Sequence, residues 1–424
     1  MIDEILTIFF VISIVTFMPS TLVAILPRRR RMEGFYPPVS VVIPAHNEES
    51  CIESTVDSVF KSDYPNEIDV VVVDDGSSDG TCDILSRLAG GDGRIRVINT
   101  DHLGKALAVN KGIMNSKNEI IVMLDADSTL SKDALRRFTE PFIDAAVGAV
   151  SGIIAVKTNG NPLTWYQDFE YVLSSMWRYI FDRVGGTYIL PGFAAFRRKA
   201  IVEAGLFATD TLSEDCDIGL SMRKRGWQLI MSGATMYTTA PQTLGGIAKQ
   251  RIRWGRGALQ VMRKHRDMFL NPRYGFIGFY GLPNQLYFYI QGSVILPITF
   301  YQIFHGYMIY FAQYGNYLSW LVVKYFIGWL CMFGTIEYVH NTLTGVWPMS
   351  ASFPYFLASM LVITAYNVIA ALRMSRLTPR VPLVLFFFFP YYLFTLTFFC
   401  FPLILELNPL KKAESHVNIW EKTR

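Results

Sequence analysis

Apolar residues gather into short runs in the first third of the chain: "VSVVI" (39–43), "IDVVVVD" (68–74), "IRVIN" (95–99) and "EIIVML" (119–124). Helical spacing fills the gaps at 49–61, 81–89 and 105–115. Strand–helix alternation of this length predicts a mostly parallel sheet with right-handed crossovers. Runs that are apolar on both sides predict strands covered on both faces. Ligands of such sheets sit beyond the carboxyl ends of the strands. Polar clusters fall at those ends: "PAHNEE" (44–49), "DDGSSDGT" (74–81) and "DADS" (125–128).

A different pattern flanks this region. Residues 5–26 are 22 residues without a charge, enough to cross a hydrocarbon core of about 30 Å. A cleaved signal peptide fits less well, because the run is long, no basic segment precedes it and no A-x-A site follows. "RRRR" (28–31) comes next, and arginine beside a span marks the cytoplasmic side. Further spans are expected near 285–311, 317–336, 353–372 and 382–405. The chain therefore divides into an anchor with its basic flank (1–31), a cytoplasmic catalytic domain (38–270), membrane or interfacial helices (271–410, about four spans) and a cytoplasmic tail (411–424). The expected location is the cell membrane, crossed several times. A count of five spans turns the arginines of "RMSRLTPR" (373–380) outward. Demoting 276–311 to an interfacial segment turns them inward and sends the tail outside. We retain five.

Composition narrows the function. A net charge of +4 is too small to indicate nucleic-acid binding. Cysteines 51, 82, 216, 331 and 400 lack CxxC spacing and neighbouring histidines, which excludes a zinc site or a disulfide framework. The first three suit a reducing cytoplasm.

Several motifs carry chemistry. Asp74 and Asp75 end a strand before a Gly turn, where carboxylates accept from ring N–H or sugar hydroxyl groups or close an Asx turn. Asp125 and Asp127 follow another strand. A carboxylate pair with an open side suits Mg2+ or Mn2+ bridging to phosphates, and a helix N-cap is the plainer alternative. Gly104 and Lys105 open a helix as in phosphate recognition, without P-loop spacing. Gln250, Arg253 and Trp254 share one helical face. Arg holds diphosphates and Trp stacks on sugars. The nearby Arg251, Arg256, Arg263 and Lys264 suit contact with anionic lipid. "TLSEDCDIG" (211–219) crowds three acids together. Thr211 and Glu214 have capping-box spacing. At about 100° per residue Glu214 and Asp217 share a face, while Asp215 points away from Asp217. The three acids do not readily chelate one ion.

Taken in order, "IPAHNEE", "VVDDGSSDGT", "GKALAVNKG", "LDADS", "PGFAAFRR", "SEDCDIGLSMRKRGW" and "QRIRW" resemble the processive membrane glycosyltransferases of family two. These include synthases of cellulose, chitin, hyaluronan and poly-N-acetylglucosamine. The "QRIRWGRGALQV" neighbourhood and the tail "NIWEKTR" are most similar to the poly-N-acetylglucosamine branch. The resemblance covers about 38–270 plus the flanking spans. It implies a GT-A fold, an α/β Rossmann-like catalytic domain joined to an α-helical transmembrane domain. It also implies an inverting, metal-dependent transfer from a nucleotide sugar, UDP-GlcNAc or UDP-Glc, to a β-linked polysaccharide that is exported.

Carried over residue by residue, Pro44, Ala45, Glu48, Asp74, Asp75, Lys105, Asp125, Ala126 and Asp127 would meet the donor, Asp74 and Asp75 at its base and ribose. Asp127, with Asp125, would hold the metal. Asp215 would be the general base beside Glu214. Gln250, Arg253, Trp254 and Gly192 would meet the acceptor and diphosphate. Ser213 replaces the commoner Thr, and Phe193 and Ala194 depart from several polymer synthases, which bears on the acceptor pocket. The bilayer and a small membrane subunit are the implied partners; nucleic acid is not. Two alternatives remain. Single-sugar transfer to a polyprenyl phosphate or another lipid acceptor is disfavoured by "QRIRW". A non-catalytic transporter or scaffold is disfavoured by the intact DxD and base.

Overall fold

The computed structural model describes residues 2–26, 34–374 and 376–406. The basic run at 28–31 and the tail at 411–424 lie outside the described residues. The apolar runs become strands β1 (Val39–Ala45), β2 (Ile68–Asp74), β3 (Ile95–Asn99) and β4 (Ile120–Leu124). Beyond them come β5 (Thr129–Leu130), β6 (Val147–Val156), β7 (Phe193–Arg197) and β8 (Gln228–Thr238). They form one mixed sheet in the order β3-β2-β1-β4-β7-β6-β8-β5. β1 lies between β2 and β4, parallel to both, with Val39 opposite Ile68 and Ala45 opposite Asp74. β7 runs antiparallel to β4 and β6.

Both faces of β1 and β2 are covered, which is why their sequences do not alternate. Val41, Ile43, Val70 and Val72 pack with Ile52 and Val56 on one side. Val42, Val71 and Val73 pack with Ala106, Val109 and Ile113 on the other. Helix Lys105–Asn115 lies so close that a Cβ on Gly112 would stand 2.4 Å from Val42 Cγ1. This packing holds the ends of β1, β2 and β4 at one rim.

The described residues fall into two compact units, 34–283 and 2–26 with 284–404. Among them, helices Asp3–Ile25, Ile277–Tyr314 and Phe353–Arg373 are long and apolar enough to cross a membrane. The apolar stretch expected to span near 317–336 forms two helices, Trp320–Leu330 and Met332–Leu343, bent by 102°. Cys331 is extended at the break (φ −151°, ψ 171°). Gly328 and Gly334 let the arms approach, since a Cβ on Gly334 would stand 2.3 Å from the Gly328 carbonyl oxygen. Lys324 and Glu337 bridge the arms at 2.8 Å. Phe388–Leu403 is a shorter apolar helix.

The first helix and Phe353–Arg373 run parallel. Ser352 Oγ donates to Asp3 at one end, and Arg373 Nη2 donates to the Ile25 and Leu26 carbonyls (2.6 and 3.0 Å) at the other. Phe10–Phe356 and Phe17–Tyr366 ring pairs lie between, at 5.5 and 5.2 Å. Arg373 therefore sits at the same end as Leu26, which reverses the outward placement that five straight spans require.

Candidate active site

At the rim, the turn after β4 presents Asp125, Ala126 and Asp127. Thr55 Oγ1 donates to the Ala126 carbonyl (2.7 Å) and the Ser128 amide to that of Asp125 (3.1 Å), which pins the turn. Burial, then the charges of Asp125 and Glu48, push the Asp127 carboxyl up to about 6. Glu48 is itself buried and accepts from Cys51 Sγ at 2.9 Å. Gly192 abuts this turn, where a Cβ would stand 2.0 Å from Asp125 Oδ2. No larger residue fits there without displacing that carboxylate.

Asp75 is fully buried. It accepts from Thr100 Oγ1 (2.7 Å) and from the amides of Leu103 (2.6 Å) and Gly104 (2.8 Å). Its carboxylate thus shapes the loop that delivers Lys105, while Asp74 Oδ1 accepts from the Ser77 amide at 3.1 Å. Two residues that the sequence reading passed over, His46 and His102, lie with ring centroids 4.2 Å apart. Each donates from Nδ1 to the Asp75 carbonyl, at 2.8 and 3.2 Å, which sets the tautomer of both. Pro44 and Ala45 end β1 beside them.

Lys105 Nζ lies 2.7 Å from Asp125 Oδ1 and 3.8 Å from Glu214 Oε1. Burial alone would lower its pKa, but these two carboxylates outweigh it and hold the ammonium charged. The DxD turn and the acid pair are therefore joined through one cation.

Helix Glu214–Lys224 starts at Glu214, with Ser213 as an N-cap that makes no side-chain cap bond. This corrects the capping-box reading, because Glu214 sits at the first helical position and turns to Lys105. Glu214 and Asp217 stand three residues apart on this helix but take different partners. Asp217 turns instead to His265 Nε2 (2.6 Å) and Lys264 Nζ (2.8 Å). Asp215 is half-buried, and its Oδ1 accepts from the Cys216 amide at 2.8 Å. Burial, then Glu214, push its carboxyl up to about 6, while Lys105 and Arg253 pull the other way.

A third residue missed from sequence lies near Asp215. Arg178 is buried, and donates to Ser151 Oγ (3.0 Å), the Gly152 carbonyl (2.7 Å) and Ser175 Oγ (3.0 Å). Burial brings its pKa down to about 10, and the charge of Asp215 opposes that shift.

Helix Leu244–Lys264 carries Gln250, Arg253 and Trp254, and Thr243 Oγ1 caps it by accepting from the Gly246 amide (3.1 Å). Arg251 corrects the lipid reading. It is 2% exposed, pairs with Glu170, donates to Gln250 Oε1 at 2.5 Å and lies 4.3 Å over the Trp254 ring. Lys264, bonded to Asp217 and to Asp210 at 2.7 Å, is likewise not committed to lipid. Trp254 meets Tyr171 edge-on at 6.1 Å. Arg253 is exposed, and its charge acts on Lys105 and Asp215.

No three His, Cys, Asp or Glu side chains converge as a closed metal cage among the described residues. Asp125 and Asp127, with Glu48 near Asp127, are a partial oxygen set; Lys105 pairs directly with Asp125, and its charge offsets only part of the rise at Asp127. That donor chemistry fits a hard divalent ion that takes further ligands from a substrate.

Known proteins are similar to this chain. A family model described as "Glycosyltransferase like family 2" matches residues 37–257. The poly-β-1,6-N-acetyl-D-glucosamine synthase of Staphylococcus aureus (strain COL) is 29% identical over 235 residues, 54% of this chain and 56% of that protein. This chain therefore spans little more than half the length of that relative. The synthase of the same name from Staphylococcus epidermidis is 26% identical over 291 residues, 68% of each chain. Among solved structures, the mannosyltransferase PcManGT of Pyrobaculum calidifontis, in complex with GDP-Man and Mn2+, is similar in fold. Its TM-score is 0.59 at 23% identity, covering 88% of this chain and 99% of that one.

Proposed function

The chain belongs to the family-2-like glycosyltransferases, with a GT-A fold and added apolar helices, and from that premise we propose that it builds a β-linked polysaccharide from a nucleotide sugar. UDP-GlcNAc is the donor we favour, because the staphylococcal relatives carry the name of poly-N-acetylglucosamine synthases. The observation that carries the reading is Asp215, half-buried, raised to about 6 and set among Glu214, Lys105 and Arg253.

Such a carboxylate is ionised at neutral pH yet basic enough to take a proton from an acceptor hydroxyl as it attacks. Attack from the Asp215 side, opposite the departing diphosphate, inverts the anomeric carbon, so an α-linked donor gives a β-linkage. Arg253 and Lys105 stabilise negative charge on the leaving diphosphate. Asp127 and Asp125 would hold Mg2+ or Mn2+, which supplies further neutralisation of that charge. Gln250 and Trp254, braced by Arg251 and Tyr171, receive the acceptor sugar together with Gly192. Pro44, Ala45, Glu48, Asp74, Asp75 and Ala126 form the donor end, with the paired imidazoles above Asp75.

The test incubates the full chain in lipid with Mn2+ or Mg2+ and UDP-GlcNAc, UDP-Glc or GDP-Man. UDP release from UDP-GlcNAc, exceeding that from UDP-Glc, is expected. Nucleoside diphosphate release from none of the three overturns the enzymatic reading.

The same reading places the catalytic unit on the cytoplasmic side, where Leu26 and Asn284 lead into it. Helix Phe353–Arg373 then enters from the far side, because Arg373 caps the first helix at Leu26. One crossing by Ile277–Tyr314 brings the chain to that far side. The bent pair at 320–343 consequently dips in and returns without crossing. In a chain freed of its five native cysteines, impermeant maleimide should label Tyr317→Cys and Val346→Cys from one outer face. Labelling from opposite faces contradicts this path.

A further inference from the structure

Asp217 stands two residues from the proposed base, on the same turn, yet takes no part in the cluster around Lys105. It is 1% exposed and His265 is 3% exposed. Burial alone would raise the Asp217 carboxyl. His265 and Lys264 outweigh that and hold it below the usual carboxylate range. Among the described residues, His265 Nδ1 has no hydrogen-bond partner. The side-chain polar contact of this imidazole is therefore the one to Asp217.

The partners of Asp217 close helix Leu244–Lys264, and they belong to a longer stripe. Leu212 N–H donates to Gln260 Oε1 at 3.0 Å. A Cβ on Gly257 would stand 2.2 Å from Ser213 Oγ. Positions 250, 253, 254, 257, 260 and 264 recur at helical spacing along one face. Its first half bears Gln250, Arg253 and Trp254. Its second half grips residues 212–217, the start of the helix that bears Asp215.

We infer that His265 is a positioning residue for sugar transfer: by holding Asp217 it fixes the first turn of helix Glu214–Lys224, and so the aim of Asp215, against Arg253 and Trp254. The inference rests on the glycosyltransferase reading. A displacement near 1 Å at a reacting group lowers rates by about 10²-fold. Removing His265 leaves the buried Asp217 oxygen without its donor, and the turn shifts to find another.

The experiment measures kcat, donor KM and nucleotide affinity for the full chain in lipid. His265→Leu should lower kcat at least tenfold with donor KM and UDP affinity within twofold. His265→Gln places an N–H where Nε2 stands, and should recover kcat to within threefold of wild type. Should His265→Leu not fold, Asp217→Asn carries the same test, with the same split expected. Wild-type kcat in His265→Leu or Asp217→Asn, equal losses in His265→Leu and His265→Gln, or a loss of UDP affinity in step with kcat overturns the positioning role. A wild-type chain that transfers no sugar overturns the underlying reading instead.

Discussion

Asp215→Asn lowers kcat for sugar transfer by about 10³-fold, the scale of a lost general base, while donor affinity stays within a few fold. Asn keeps the size of the side chain and its bond to the Cys216 amide but cannot accept the acceptor proton. The wild-type pH dependence follows from the same residue. Its carboxyl, pushed up to about 6 by burial and Glu214, is protonated below that pH and ionised above it. Activity is therefore lost as pH falls through about 6, and kcat/KM measured from pH 5 to 8 should show that limb. A profile flat across this range, or full turnover by Asp215→Asn, removes Asp215 as the base.

Asp127→Asn abolishes transfer and stabilises the fold. The sign follows from the raised carboxyl. Its folded pKa of about 6 lies above the ordinary 3.8, so the folded state binds the proton more tightly. The penalty for ionised Asp127 grows as pH rises from near 4 to near 6, and is full at neutral pH. At about 1.4 kcal/mol per unit it is on the order of 2–3 kcal/mol. Asn removes it, and without metal or donor Tm should rise by a few degrees at pH 7.5. The gain should vanish near pH 4. A lower Tm at pH 7.5, or retained transfer, contradicts the role assigned to Asp127.

Much of this was legible along the chain where local pattern governs. Strands β1, β2 and β4 are mostly apolar, because both faces are covered, and their ends coincide with the polar clusters. The second half of the sheet was not legible. β6 and β8 pair in parallel with register shifts near Ser151 and Ile153, and β7 is five residues of Phe, Ala and Arg. Motif spacing marked Asp125, Asp127, Lys105, Asp215 and the Gln250–Trp254 face, which the fold gathers at one rim.

Spacing could not show contacts between distant segments. Arg251 reads as a solvated charge until Glu170 comes to meet it. Asp217 reads as a companion of Glu214 until His265 draws it away. His46 and His102 sit at the ends of different strands and acquire meaning only as a pair. Gly192 shows its constraint only where Asp125 leaves no room for a Cβ. The bend at Cys331 hides in an apolar run, because hydropathy reports where a segment is apolar and not whether it is straight.

Polymer synthesis with inversion leaves its record in the product formed from UDP-GlcNAc. Size and anomeric configuration can both be read by mass spectrometry and NMR of material made by the full chain in lipid. The expected product is a chain of many β-linked N-acetylglucosamine residues, absent with Asp215→Asn. A single sugar on an extractable lipid, or an α-linked product, would contradict it.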